Sequence, residues 1–174
     1  MNNSRVLILL IIVVLAAATR LLPHPPNFTP IAAIALFGGS YFADKRMAFV
    51  LPLLVMIISD FFLGFHGTMT FVYLCFALTV YMGFGLRGKV SPLPVLGSAI
   101  GASVLFFIVT NFGVWLTGSW YPKTFEGLLM CYTAAIPFFH NTLAGTLVYS
   151  AVLFTGFEFM QRRYTSLRLQ KVKA

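Results

Sequence analysis

Apolar runs of near-membrane length, separated by short polar turns, constrain this chain more than any other feature. A helix needs roughly 20 apolar residues to cross a bilayer. Residues 6–22, 47–65, 69–86, 93–116 and 142–160 meet or approach that length. Only 9% of the residues are charged, against about 25% in a soluble domain. So few charges cannot clothe a surface that faces water, and the runs therefore expect lipid. The fold class that follows is an all-α integral membrane protein of about six transmembrane helices. Residues 1–161 are expected to form one transmembrane domain and residues 162–174 a basic, solvated cytoplasmic tail.

The first run ends near Thr19 and Arg20. With Arg5 before it and Ala16, Ala17 and Ala18 within it, it also has the layout of a signal peptide. A retained helix is the expectation, because the apolar stretch continues through Leu21 and Leu22. Pro23, Pro25 and Pro26 then force residues 24–30 into an extended loop, since proline lacks a donor and restricts its predecessor. The second run, residues 31–42, is too short to span as a straight regular helix and contains Gly38-Gly39. It reads as a broken or partly re-entrant helix, tolerated in a membrane only where protein covers its backbone. Near the C-terminus, a weaker stretch over 128–139 contains Pro137 and reads as separate from the last span.

Lysine and arginine set the orientation. With the N-terminus in the cytoplasm, that side holds Arg5, Lys45, Arg46, Arg87, Lys89, Arg162, Arg163, Arg168, Lys171 and Lys173. The outside holds Arg20 and Lys123, so ten of the 12 fall on one side. Both termini are therefore expected inside. The net charge of +8 sits at run ends and in the tail rather than along a helix face, which excludes a nucleic-acid surface.

Polar residues inside apolar runs mark candidate sites. At 1.5 Å per residue, Asp60 lies roughly 8–9 Å and Cys75 roughly 10 Å below the outer ends of their helices, with Asn111 at similar depth. Arg20 and His24 come from the outer end of the first helix, and His140 and Asn141 precede the last span on that side. The cytoplasmic half is expected to hold almost no such residues. Arg20 is the natural partner for Asp60, either as a structural lock or as part of a site. Cys75 is either a small buried hydrophobe or a soft metal ligand, and a disulfide with Cys131 is a further alternative. Phe71, Thr79 and Met82 share its helix face and are expected to line a cavity there; Tyr73 faces elsewhere. His24, His66 and His140 share no i, i+4 spacing and read as interfacial caps rather than a metal site. Trp115, Trp120 and Tyr121 form an outer aromatic belt. Gly97-x-x-x-Gly101, extended by Ala99 and Ser103, and Ala35-x-x-x-Gly39 read as close-packing faces. There is no Walker, HExxH or GxSxG motif.

Several segments carry a resemblance. They are Arg20-Leu21-Leu22-Pro23-His24-Pro25-Pro26-Asn27-Phe28-Thr29-Pro30 with the following 31–39, then Ser59-Asp60 to His66, Thr110-Asn111-Phe112-Gly113-Val114-Trp115, Tyr121-Pro122-Lys123-Thr124, and Pro137-Phe138-Phe139-His140-Asn141-Thr142. Together they resemble a family of small bacterial proteins described only by an inferred role in transport. More broadly, size, helix number and topology resemble the substrate-binding S components of energy-coupling factor (ECF) vitamin transporters, nearest to solitary vitamin B12 transporters of the BtuM type. That resemblance implies an outward-facing pocket and a helix cysteine ligating the cobalt of cobalamin, for which Cys75 matches by depth and helix. It also implies either an ECF energising module as partner or solitary action. The alanine-spaced coupling motif is absent from the inner end of the first helix, since Ala16 to Ala18 lie in its outer half.

The function expected is capture of a small molecule, cobalamin or another small vitamin, by a multi-pass protein of the bacterial cytoplasmic (inner) membrane. No catalysis and no intrinsic cofactor are expected. The substrate-binding candidates are Arg20, His24, Asn27, Asp60, His66, Cys75, Asn111, Trp115, His140 and Asn141. One alternative is an intramembrane enzyme pairing Asp60 with a histidine for acid–base work, which needs hydrogen-bond reach between them. Another is a non-catalytic accessory subunit whose outer end is filled by side chains.

Overall fold

The computed structural model describes residues 3–168. They form α1 (Asn3–Ala18) continued by a 3-10 turn (Thr19–Leu21), α2 (Ile31–Tyr41), α3 (Lys45–Leu63), α4 (Met69–Phe84), α5 (Pro92–Thr117) and α6 (Phe125–Arg163), then a short 3-10 turn (Thr165–Leu167). No strand occurs among the described residues. α1 with its turn, α3, α5 and α6 are long and apolar enough to cross a membrane, while α2 and α4 are apolar but shorter. Lys171 and Lys173 of the expected tail lie outside the described residues.

Successive helices run in alternate directions. Arg5 near the start of α1 donates to the Tyr41 carbonyl at the end of α2, 2.9 Å away, and to Gln161 near the end of α6, also at 2.9 Å. Arg87, just past α4, donates to the carbonyls of Gly39 and Phe42, both at 2.8 Å. These contacts gather the basic turns at one end of the bundle, the basic end. The connections 22–30, 64–68 and 118–124 make up the opposite, loop end.

α2 is the hub. All of its 11 residues are buried, and it touches each of the other five helices. Its length is about 16 Å, near half a bilayer, so its ends fall inside the bundle. The carbonyls orphaned at its C-terminus are taken up by the two arginines just named, and Ser40 Oγ donates to Leu36 O and to Gly83 O of α4. Phe37 stacks edge-on against Phe154 and Phe157 of α6, with ring centroids 5.7 and 5.6 Å away. A short buried helix is thus compatible with lipid because protein, not lipid, surrounds it.

α2 and α4 approach backbone to backbone at Gly39 and Gly83. A Cβ on Gly39 would lie 2.2 Å from Val80 O, and one on Gly83 would lie 2.5 Å from Leu36 O. The expected Ala35–Gly39 face is therefore a contact. The expected α5 face is corrected at Gly97 alone: a Cβ there meets nothing within 4 Å, whereas one on Gly101 would lie 3.2 Å from Met82 Cε. Ala99 and Ser103 of the expected face are buried, together with Val95 and Ala102.

The expected break near Pro137 is also corrected. α6 is one helix of 39 residues that contains Pro137. At roughly 58 Å it is nearly twice the hydrocarbon thickness. Its first half packs against α5: Cys131 Sγ contacts Asn111 O, Tyr132 OH donates to Ile108 O, and Phe139 meets Phe107. The stripe Gly127, Cys131 and Ala135, spaced by four, is what it buries. His140 and Asn141 therefore sit within this helix and do not precede it. The start of the expected tail is ordered too: α6 runs to Arg163, and Leu167 is buried, its carbonyl accepting from Arg5.

Candidate functional site

Two ionic clusters hold the ends of α1. At the loop end, Arg20 leaves the 3-10 turn and enters the bundle, where it is 9% exposed. Its Nη2 lies 2.6 Å from Asp60 Oδ1 of α3. Its Nη1 donates to Ser59 Oγ and reaches Met56 Sδ at 3.6 Å. Tyr73 of α4 donates to Asp60 Oδ2 at 2.7 Å. Asp60 is 4% exposed, so this carboxylate is held by a cation on one oxygen and a phenol on the other. Arg20 Nε has no partner, and the guanidinium keeps a donor in reserve.

The second cluster lies at the basic end, the half expected to hold almost no embedded polar groups. At the basic end, Arg5 is 5% exposed and meets Tyr41 O, Gln161 Oε1 and Leu167 O. Tyr41 OH donates to Glu158 Oε1 at 2.6 Å, and Gln161 Nε2 donates to the same oxygen at 3.1 Å. Each end of α1 thus contributes an arginine that faces a carboxylate and a tyrosine of other helices. The chain has four acidic residues; the other two are Asp44, the N-cap of α3, and Glu126 in the first turn of α6.

The remaining candidates do not converge. His24 and His66 make local contacts, Nδ1 to Pro25 O at 3.0 Å and Nδ1 to Thr68 Oγ1 at 2.9 Å. His140 is exposed along α6. None of the three is a hydrogen-bond partner of Asp60. Asn27 is exposed with φ 64°, a left-handed conformation that asparagine tolerates better than most residues. Asn111 Nδ2 donates to Phe107 O one turn back, and Trp115 Nε1 to Pro122 O. Asn141 does join two elements: its Nδ2 donates to Pro26 O at 2.9 Å and docks the 22–30 loop on α6. Tyr149 extends that seam through Thr19 Oγ1 at 2.9 Å and the Phe28 ring.

Cys75 is 1% exposed, and its thiol faces Leu105 O of α5 at 3.9 Å. Both cysteines are free. The helix face expected around Cys75 exists, but it packs on α5. A Cβ on Gly113 would lie 2.4 Å from the Phe71 ring, and one on Gly101 would lie 3.2 Å from Met82 Cε. No group of three or more His, Cys, Asp or Glu side chains suited to a metal occurs among the described residues.

Sequence reasoning missed Ser59, Tyr73, Arg5, Tyr41, Glu158 and Gln161 as cluster members. Glu158 carried a signal, being a carboxylate two residues inside an apolar run. Tyr73 carried none beyond its hydroxyl.

The model of the "Family of unknown function (DUF6580)" matches residues 1–167. No curated protein and no solved structure matches the chain.

Proposed function

The chain belongs to the DUF6580 family, and we propose that it is a substrate-capturing membrane transport protein whose binding site is organised by Arg20, Asp60 and Tyr73. The observation that carries this reading is the cluster itself. An embedded ion pair is costly in a membrane and is by default a functional hypothesis. This one joins α1, α3 and α4 at the loop end and leaves Arg20 Nε unsatisfied. In this reading all six helices cross the bilayer, with the basic end in the cytoplasm of a bacterial inner membrane. The short α2 crosses within its protein sheath. Reporter fusions at Lys89 and at the C-terminus are both expected to read cytoplasmic; a periplasmic reading at either overturns that topology.

The substrate class that fits is a small polar molecule able to meet a guanidinium and a carboxylate together. A corrinoid held through Cys75 would further require α5 to withdraw from a thiol now covered, and a ligand at the ion pair requires α1, α3 and α4 to part over an Asp60 that is 4% exposed. The S-component likeness leaves both an energising partner and solitary action within the proposal. One observation favours the rival, a non-catalytic accessory subunit: Asn111, Trp115 and Asn141 spend their polar groups on the protein's own backbone.

Mass spectrometry of small molecules retained by the detergent-purified protein separates the two readings. A stoichiometric ligand in the native chain, lost in Asp60→Asn at unchanged helicity, is the expected result. Absence of any ligand from native protein purified out of its own membranes would overturn the transport reading in favour of the accessory one.

A further inference from the structure

A cavity of about 470 Å³ opens between the basic-end halves of α5 and α6. It is separate from the Arg20 cluster and follows a polarity gradient. Leu96, Ala99, Leu147 and Phe154 wall its deep part, and Glu158 and Arg162 stand at its mouth. The small side chains of Ala99 and Ala151 leave the space, and nothing else in the described chain fills it.

Two polar side chains in it are without a hydrogen-bond or salt-bridge partner among the described residues. Ser150 is 2% exposed, lines the cavity, and its Oγ has no hydrogen-bond partner. Thr142 and Thr146 on the same helix, by contrast, turn their hydroxyls back to the carbonyl four residues earlier. Arg162 makes no salt bridge among the described residues. Its side chain leans toward the helix N-terminus, over the cavity mouth, as side chains on helices do. Glu158 shares the mouth with it: Glu158 Oε1 accepts from Tyr41 and Gln161, and Gln161 in turn accepts from Arg5.

We propose that this groove holds an acidic phospholipid drawn from the leaflet that meets the basic end. The acyl chain lies along the apolar wall between α5 and α6, and the phosphate meets Arg162. The ester oxygens of the lipid backbone are acceptors for Ser150 Oγ. Basic clefts between membrane helices select acidic headgroups by charge, with an apolar slot supplying the rest. Lys89 and Arg163 flank the groove in sequence and add to the field without lining it. The proposal is independent of the transport reading, since it needs only the groove and the charge at its mouth.

The test is thermal unfolding of delipidated full-length protein with added phosphatidylglycerol or phosphatidylcholine. Phosphatidylglycerol is expected to raise the midpoint by about 5 °C, the size of shift that saturating a site confers on a chain of this length. Phosphatidylcholine is expected to raise it little. Arg162→Gln should abolish the difference, and Arg163→Gln should keep it. Ala151→Phe fills the groove and should remove phosphatidylglycerol from lipid extracts of the purified protein; if that variant does not fold, Arg162→Gln decides alone. Equal shifts with the two lipids, or an unchanged preference in Arg162→Gln, would overturn the site.

Discussion

Gly39→Leu is expected to yield no folded protein, and Gly39→Ala a protein too unstable to survive purification in mild detergent. A Cβ at this position would meet the carbonyl oxygen and carbon of Val80 at 2.2 and 3.1 Å and Gly83 Cα at 2.9 Å. All three are backbone, so no side chain can rotate aside. Relief requires α2 and α4 to separate, yet α2 touches five helices and has no free side toward which to move. Overpacking a well-filled interior typically costs about 1–3 kcal/mol, and the closed surroundings put this case at or above the top of that range. Gly83→Ala should behave alike, because its Cβ would meet Leu36 O at 2.5 Å. Gly97→Ala is the control: the position is open, and alanine gains up to about 1 kcal/mol of helix propensity. Yield of folded protein in mild detergent, with thermal titration of each variant that survives purification, checks the ranking. A Gly39→Ala protein as stable as Gly97→Ala would show that the two helices do not meet at this crossing.

The same crossing shows what the sequence discloses and what it withholds. α3, α4 and α5 were legible within a few residues, because charged, proline-bearing or, at 64–68, glycine-bearing turns bound each run. α2 was legible as too short and in need of cover, which follows from the cost of bare backbone in lipid. Its place at the hub was not, since an all-apolar helix carries no mark of which side faces protein. That also explains Gly97. A small residue signals a close contact only if its side of the helix is turned toward a neighbour, and here α5 buries Ala99 and Ser103 of the expected face but leaves Gly97 open. Pro137 misled for a different reason: proline ends helices in water, but in membrane helices neighbouring groups re-satisfy the freed backbone. Within the site, Arg20 and Asp60 could be paired because opposite charges at one depth in an apolar medium have few other partners. Tyr73 required the rotation of α4. The Glu158 cluster required knowing that α1 begins beside the end of α6.

Breaking the loop-end pair should separate a structural lock from a working site. Asp60→Asn leaves Arg20 buried with no counter-charge, and Arg20→Gln strands the carboxylate; each should cost about 3–5 kcal/mol, as loss of one partner of a buried pair does. Translocon scales give about 2.5–3.5 kcal/mol for a charge at mid-membrane, which agrees. Both are large against a total stability of about 5–15 kcal/mol, so poor yields of either single variant say nothing by themselves about function. The informative protein is Arg20→Met with Asp60→Leu. Replacing a buried pair by apolar groups of similar volume is often neutral or stabilising. The Tyr73 hydroxyl then loses its acceptor, and interhelical hydrogen bonds in membranes average only about 0.6 kcal/mol. The double variant is therefore expected to unfold within a few degrees of the native chain, measured side by side in one detergent. If the pair serves only to fasten α1 to α3, the double variant should retain every property of the native protein, any bound small molecule included. If Arg20 and Asp60 hold substrate, it should be well folded and empty. A double variant that folds and keeps its ligand would remove the ion pair from the binding site and leave it a fastening between helices.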